Sequence, residues 1–145
     1  LKFQHNDGGR SAAGFKGSAG DCVTRAIAIA SGLPYRDVYN ALAEGSANQR
    51  ASSRTSKRAK SARNGINVKR KWFKDYMKSL GFEWVPTMQI GSGCKVHLHD
   101  DELPTGRLVV SVSKHYTAVI DGVVHDTHDP RREGHRCVYG YWKVK

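Results

Sequence analysis

One stretch of the sequence places an imidazole and a carboxylate where a hairpin would set them side by side: His115-Tyr-Thr-Ala-Val-Ile-Asp-Gly-Val-Val-His-Asp126. Asp121-Gly122 between apolar residues is the signature of a two-residue turn of the I′ kind, whose central residues both need positive φ. With that turn, Ile120 faces Val123, Val119 faces Val124, Ala118 faces His125, Thr117 faces Asp126 and His115 faces His128. Side chains alternate along a strand, so His115, Thr117, Val119, Val124, Asp126 and His128 share a face. Asp126 is then the diagonal neighbour of His115, within reach of its ring. A carboxylate in that place fixes the imidazole tautomer and raises its basicity. Asp129, before Pro130, is the alternative acid.

A nucleophile to match this pair is Cys22, which follows Gly20-Asp21 at the predicted start of a helix. The unpaired N–H groups and dipole of a helix N-terminus stabilise a thiolate, and the same N–H groups can hold a developing oxyanion. If that helix packs on the sheet face carrying His115, then Cys22, His115 and Asp126 make a nucleophile, base and orienting acid.

The elements that must position these residues are legible in outline. CVTRAIAIAS is Ala-rich and is stopped by Gly32 and Pro34, which predicts a buried central helix from Cys22. A second helix over 35–44 carries Val38, Tyr39 and Leu42 on one face. Asn67 is placed to cap a third, with Val68, Trp72, Phe73, Tyr76, Met77 and Leu80 at helical spacing and Gly81 as its stop. From Phe82 onward, FEWV, MQIG, KVHLH, RLVVSV, HYTAVI, VVHDT and CVYGYWKV alternate with Pro, Gly and Asp and read as strands. Residues 1–20 are Gly-rich and read as irregular. Helices followed by strands predict an α+β fold, with N-terminal helices packed on a mostly antiparallel C-terminal sheet.

The length of 145 residues suits a single domain over 1–145, and 39% hydrophobic residues suffice for a core. The formal charge of +11 is concentrated: ten of the 24 Lys and Arg residues, and none of the 13 acids, fall in residues 46–74. The rest of the chain is nearly neutral. Residues 45–66 read as a flexible basic insertion with little to bury. Arg50, Arg54, Lys57, Arg58, Lys60, Arg63, Lys69, Arg70 and Lys71 are the candidates for contact with nucleic acid or an acidic protein. No aromatic residue interrupts 45–65, which argues against a base-stacking platform there.

Other classes lack support. No run approaches the ~20 apolar residues of a membrane span. The opening LKFQHNDGGR has no apolar leader core, and its first residue, Leu, fits a chain trimmed at the N-terminus. No phosphate-binding Gly-rich loop is present. Three cysteines spaced 72 and 43 apart are not a disulfide framework, so a reducing compartment is expected, with Cys94 and Cys137 as inert apolar residues in strands. His97 and His99 alternate on one strand face, but no motif organises the seven histidines for zinc. Neither a metal nor a cofactor is expected, and the oligomeric state is left open.

The block GDC at a helix start, SKHYTAV on a strand and GVVHDT on the next resemble the papain-like cysteine peptidases in their small bacterial and phage-borne forms. DCVTRAIAIASG followed by YRDVYNAL is similar to small uncharacterised phage proteins of that group. The resemblance spans most of the chain except the basic loop. It implies a papain-like fold, and a cysteine hydrolase acting on a peptide, isopeptide or related amide. In it Cys22 is nucleophile, His115 general base and Asp126 the orienting acid. It also implies a bacterial cytoplasmic or virion-associated setting. The alternative is a papain-like scaffold of weak or no activity that binds its partner as a phage accessory, virion or host-interference protein. The family commonly has a Gln shortly before the Cys as oxyanion donor. KGSAGD contains none, which leaves Gln4 and Asn6 as side-chain candidates beside the backbone N–H of Cys22.

Overall fold

A computed structural model of the chain describes residues 1–15, 21–48, 66–88, 91, 93–99 and 102–144. Three helices lie on a six-stranded mixed sheet, an α+β arrangement. The elements in chain order are β1 (Lys2–His5), α1 (Cys22–Ser31), α2 (Tyr35–Asn48), α3 (Lys71–Ser79), β2 (Phe82–Pro86), β3 (Arg107–Val112), β4 (His115–Ile120), β5 (Val123–Asp126) and β6 (Val138–Val144). The sheet order is β1-β5-β4-β3-β6-β2, antiparallel throughout except for β1 against β5. Among the described residues no helix is long and apolar enough to cross a membrane.

The sheet is apolar on both faces, and its strands sort their residues by alternation. On one face Val109, Tyr116, Ala118 and Trp142 meet Ile27, Ala30, Leu42, Phe73 and Met77 of the three helices. On the other, Leu108, Val110, Val112, Val119, Val124 and Val138 are covered by Leu98 and, less tightly, by Leu1, Phe3 and Leu103. α1 is buried nearly all round, as its Ala-rich sequence predicts, and closes on Gly32 with φ 75°. α3 docks through Phe73, whose ring meets Tyr116 and Trp142 edge-on at centroid distances of 6.2 and 6.4 Å. It packs close to α2 because Gly45 has no side chain: a Cβ there would lie 2.3 Å from the Trp72 ring.

The hairpin forms as read. Asp121 and Gly122 take φ 47° and 80°, and Ile120, Val119 and Ala118 pair with Val123, Val124 and His125. Several expectations are corrected. Residues 2–5, read as irregular, add a parallel strand to β5, so the sheet is not wholly C-terminal. The second helix runs on to Asn48, so 45–48 belongs to the body, and the remainder of the basic insertion, 49–65, lies outside the described residues. Asn67 does not cap α3. Its Oδ1 accepts the Lys69 N–H at 3.1 Å in a local turn, and the helix starts at Lys71. Residues 95–99 form only a single bridge, His97 to Cys137, instead of a strand. MQIG makes no described strand, its Gln89 and Ile90 lying outside the described residues. Cys94 and Cys137 are joined in a disulfide, not inert thiols, which leaves Cys22 as the free cysteine. The bridge at His97 brings two turn-rich segments together, a proximity that spacing in the chain does not reveal.

Candidate active site

The Cys22 side chain stands at the first residue of α1, where the helical N–H groups have no acceptor within the helix. Asp21, the residue before it, does not cap the helix. Its carboxylate turns inward, almost fully buried, onto Arg25, Tyr35 and the Arg10 Nε at 3.1 Å. The first turn of α1 is thereby anchored to α2 and to the N-terminal segment.

His115 opens β4, and its Nε2–H donates to Asp126 Oδ2 at 2.7 Å. The sequence register placed these two on one face, and their side chains are only 11% and 3% exposed. Asp126 is well held. Oδ2 also accepts the Thr117 hydroxyl at 2.8 Å, Oδ1 accepts the Thr127 N–H at 2.7 Å, and Arg25 Nη2 lies 3.6 Å from Oδ1. The β4–β5 ladder ends at Ala118 and His125, so His128 lies beyond the strand and is not paired with His115 as expected, though their ring centroids are 5.1 Å apart.

With Nε2 committed to Asp126, Nδ1 is left for Cys22, whose sulfur the His115 ring is near enough to stabilise as thiolate. The backbone N–H of Tyr116 also reaches that sulfur. Burial opposes charge on the His115 ring, but its bonds to Asp126 and Cys22 overrule it and push its pKa up to about 9. Burial likewise opposes a thiolate, yet His115, the Tyr116 N–H and Arg25 together hold Cys22 below the ordinary thiol range. Asp126 is drawn below the usual carboxylate range against its own burial, first by His115 and then by Thr117 and Thr127. All three shifts favour a thiolate facing an imidazolium.

The meeting differs from the expected one in a single respect. Tyr116 and Ala118 pack under the helices while Val119 belongs to the opposite face, so alternation puts His115 on the side away from α1. Cys22 and His115 meet at the end of β4, where the strand begins, not across its helix-packed face. A cleft of about 260 Å³ opens there, with Cys22 and His115 in its wall beside the apolar Val23, Ile66, Val68 and Val112.

Other candidates go elsewhere. Asp129 is bound to Arg131 at 2.7 Å and is not the orienting acid. Gln4 is exposed on β1 and donates to the His5 carbonyl. Asn6 accepts the Gly8 N–H and contacts His125 Nδ1 at 3.3 Å. Neither amide is among the groups that meet Cys22, which leaves helix-start N–H groups for an oxyanion. His97 and His99 both turn to Glu102, at 3.1 and 3.7 Å. Of the polyanion candidates, Lys69 is exposed, Arg70 precedes α3 and Lys71 pairs with Asp75 at 2.6 Å. Arg50, Arg54, Lys57, Arg58, Lys60 and Arg63 lie outside the described residues.

Arg25 was not singled out by motif, yet its guanidinium lies between Asp21 and Asp126 with its side chain 10% exposed. A signal existed: it is the one charge in CVTRAIAIAS, and a charge on a buried helix needs a partner. Comparison with family models, curated proteins and solved structures finds no match to this chain.

Proposed function

We propose that this chain is a papain-like cysteine hydrolase of peptide, isopeptide or related amide bonds. The observation that carries the reading is the continuous chain of contacts from a free, pKa-lowered Cys22 at a helix start, through His115, to a buried Asp126 at 2.7 Å. The thiolate of Cys22 bonds to the carbonyl carbon, and the oxyanion turns to the N–H groups at the start of α1. His115 gives its proton to the leaving nitrogen as the C–N bond breaks, leaving a thioester. Neutral His115 then takes a proton from water, whose oxygen attacks the thioester. The C–S bond breaks, the acid leaves, and thiolate and imidazolium are restored. Asp126 holds the ring with Nδ1 toward the sulfur throughout.

The test is the pH dependence of iodoacetamide alkylation in the non-reduced protein, where the disulfide shields Cys94 and Cys137. Cys22 should react well below the pH at which free cysteine does, and Cys22→Ala should abolish the label with the fold intact. An alkylation rate no faster than free cysteine would sink the reading.

A second reading keeps the scaffold and works by binding, with residues 46–74 docking on nucleic acid or an acidic protein. On its side is the engagement of Gln4 and Asn6 away from Cys22. It predicts salt-sensitive binding that Arg54, Lys57, Arg58 and Lys60 support and Cys22→Ala leaves untouched.

A further inference from the structure

A second groove, of about 420 Å³, runs beside the cleft at Cys22 and shares Val68, Ser111 and Tyr116 with it. Its walls are of two kinds. Lys69, Lys74 and Lys78 supply charge, with Lys74 and Lys78 one turn apart on α3. Among the described residues no carboxylate pairs with these three, whereas neighbouring Lys71 is neutralised by Asp75 at 2.6 Å. Trp84, Tyr139 and Trp142 supply the aromatic wall. Trp84 and Tyr139 are 39% and 40% exposed, high for such side chains in a groove. The Trp84 ring lies close over Gly140, where a Cβ would come within 2.4 Å of it, and is tilted at 54° against Trp142 with centroids 5.3 Å apart. The absent side chain at Gly140 is what lets Trp84 lie against β6.

We propose that this groove binds an acidic, aromatic-bearing segment of a polypeptide substrate and leads it to Cys22, an inference that rests on the hydrolase reading above. Three lysines lining one groove beside exposed aromatic side chains select carboxylates and planar or apolar side chains together. The adjoining cleft narrows the choice further. Its walls are apolar at Val23, Ile66, Val68 and Val112 and polar at Ser111 and Lys114, so it takes an apolar unit beside a polar or acidic one. A polypeptide meets that demand by changing one side chain. The groove's place beside Cys22, read above as attacking amide bonds, is what favours a polypeptide over a nucleic acid strand.

Binding is read on the full chain with Cys22→Ala, from the anisotropy of a fluorescein-labelled random copolymer of glutamate and tyrosine. A lysine–tyrosine copolymer and labelled oligo(dT) serve as comparisons. The glutamate–tyrosine copolymer should bind and the lysine–tyrosine one should not. Lys69→Glu, Lys74→Glu and Lys78→Glu together should weaken binding by about tenfold or more. The three Lys→Gln changes should fall between, and Trp84→Ala should cost a few-fold. In the wild-type chain the acidic copolymer should slow alkylation of Cys22, because the groove and the cleft share Val68, Ser111 and Tyr116. The proposal is overturned if the groove lysines leave affinity unchanged, or if affinity follows Arg54→Glu and Arg58→Glu instead. It is overturned equally if oligo(dT) binds more tightly through the same lysines, or if bound copolymer fails to protect Cys22. Slow alkylation of Cys22 in the free protein would instead count against the hydrolase reading, while the affinity measurements stand by themselves.

Discussion

The molecule sets a cysteine beside a histidine and an acid twice. At the end of β4, Cys22 meets His115, which donates to Asp126 at 2.7 Å. In the segment before β3, Cys94 Sγ lies 3.5 Å from His97 Nε2, and His97 Nδ1 lies 3.1 Å from Glu102. Each histidine bonds a carboxylate at a similar distance, 2.7 Å against 3.1 Å, but the surroundings differ. His115 and Asp126 have side chains 11% and 3% exposed, against 36% and 33% for His97 and Glu102. Water screens the second set, so its charges interact weakly. The first set is shielded, fixed by Thr117, Thr127 and Arg25, and placed at a helix start. The second sulfur is also tied to Cys137 and has no thiol to offer. On the hydrolase reading, the setting and not the residue types alone is what would make Cys22 the nucleophile.

The sharpest way to break this contrast is to remove each sulfur in turn. Cys22→Ala should lower amide hydrolysis by about 10³-fold or more, whereas Cys94→Ala with Cys137→Ala should leave the alkylation rate of Cys22 as it was. A fall in Cys22 reactivity with the disulfide pair removed would show that the two regions are coupled. Next in size is Arg25→Met. It takes a charged partner from two buried carboxylates at once and should cost about 3–5 kcal/mol, read as a drop in the urea midpoint. Loss of the 94–137 disulfide, which spans 43 residues, should cost about 2–4 kcal/mol by the same assay.

The smallest effect is a pH shift. On the hydrolase reading, His115, raised to about 9, should let hydrolysis persist until the ring loses its proton near that pH. Asp126→Asn should move that alkaline limb down by about one unit, while Glu102→Gln should leave it in place. The same proton is linked to folding. The native chain holds it more tightly than the unfolded chain, so its contribution to stability is full below the ordinary His value of 6.5 and is lost as pH rises through about 9. Denaturant midpoints of the wild type and Asp126→Asn across that window measure it.

Much of the site is readable because its geometry is local. A two-residue turn at Asp121-Gly122 sets the register, and register sets which side chains share a face, so Asp126 could be placed beside His115 without a fold. The helix start at Cys22 is equally local, written in the Ala-rich run and its Gly32 stop. Strand β1 was not readable, because four residues with no turn of their own become a strand only when β5 offers them an edge. The disulfide was hidden for a like reason, since it depends on a bridge between His97 and Cys137.

The sequence alone therefore determined the hairpin, the central helix and the three residue types of the site, all decided by contacts between near neighbours in the chain. Tertiary structure alone decided that α1 ends its approach at the first residue of β4, so that Cys22 meets His115 there and not across the helix-packed face. It also decided that Arg25 lies between two buried carboxylates, and that α3 and β6 join lysines to tryptophans in one groove. These depend on how whole layers pack, where burial of apolar surface chooses the arrangement and the polar groups must find partners in whatever space it leaves.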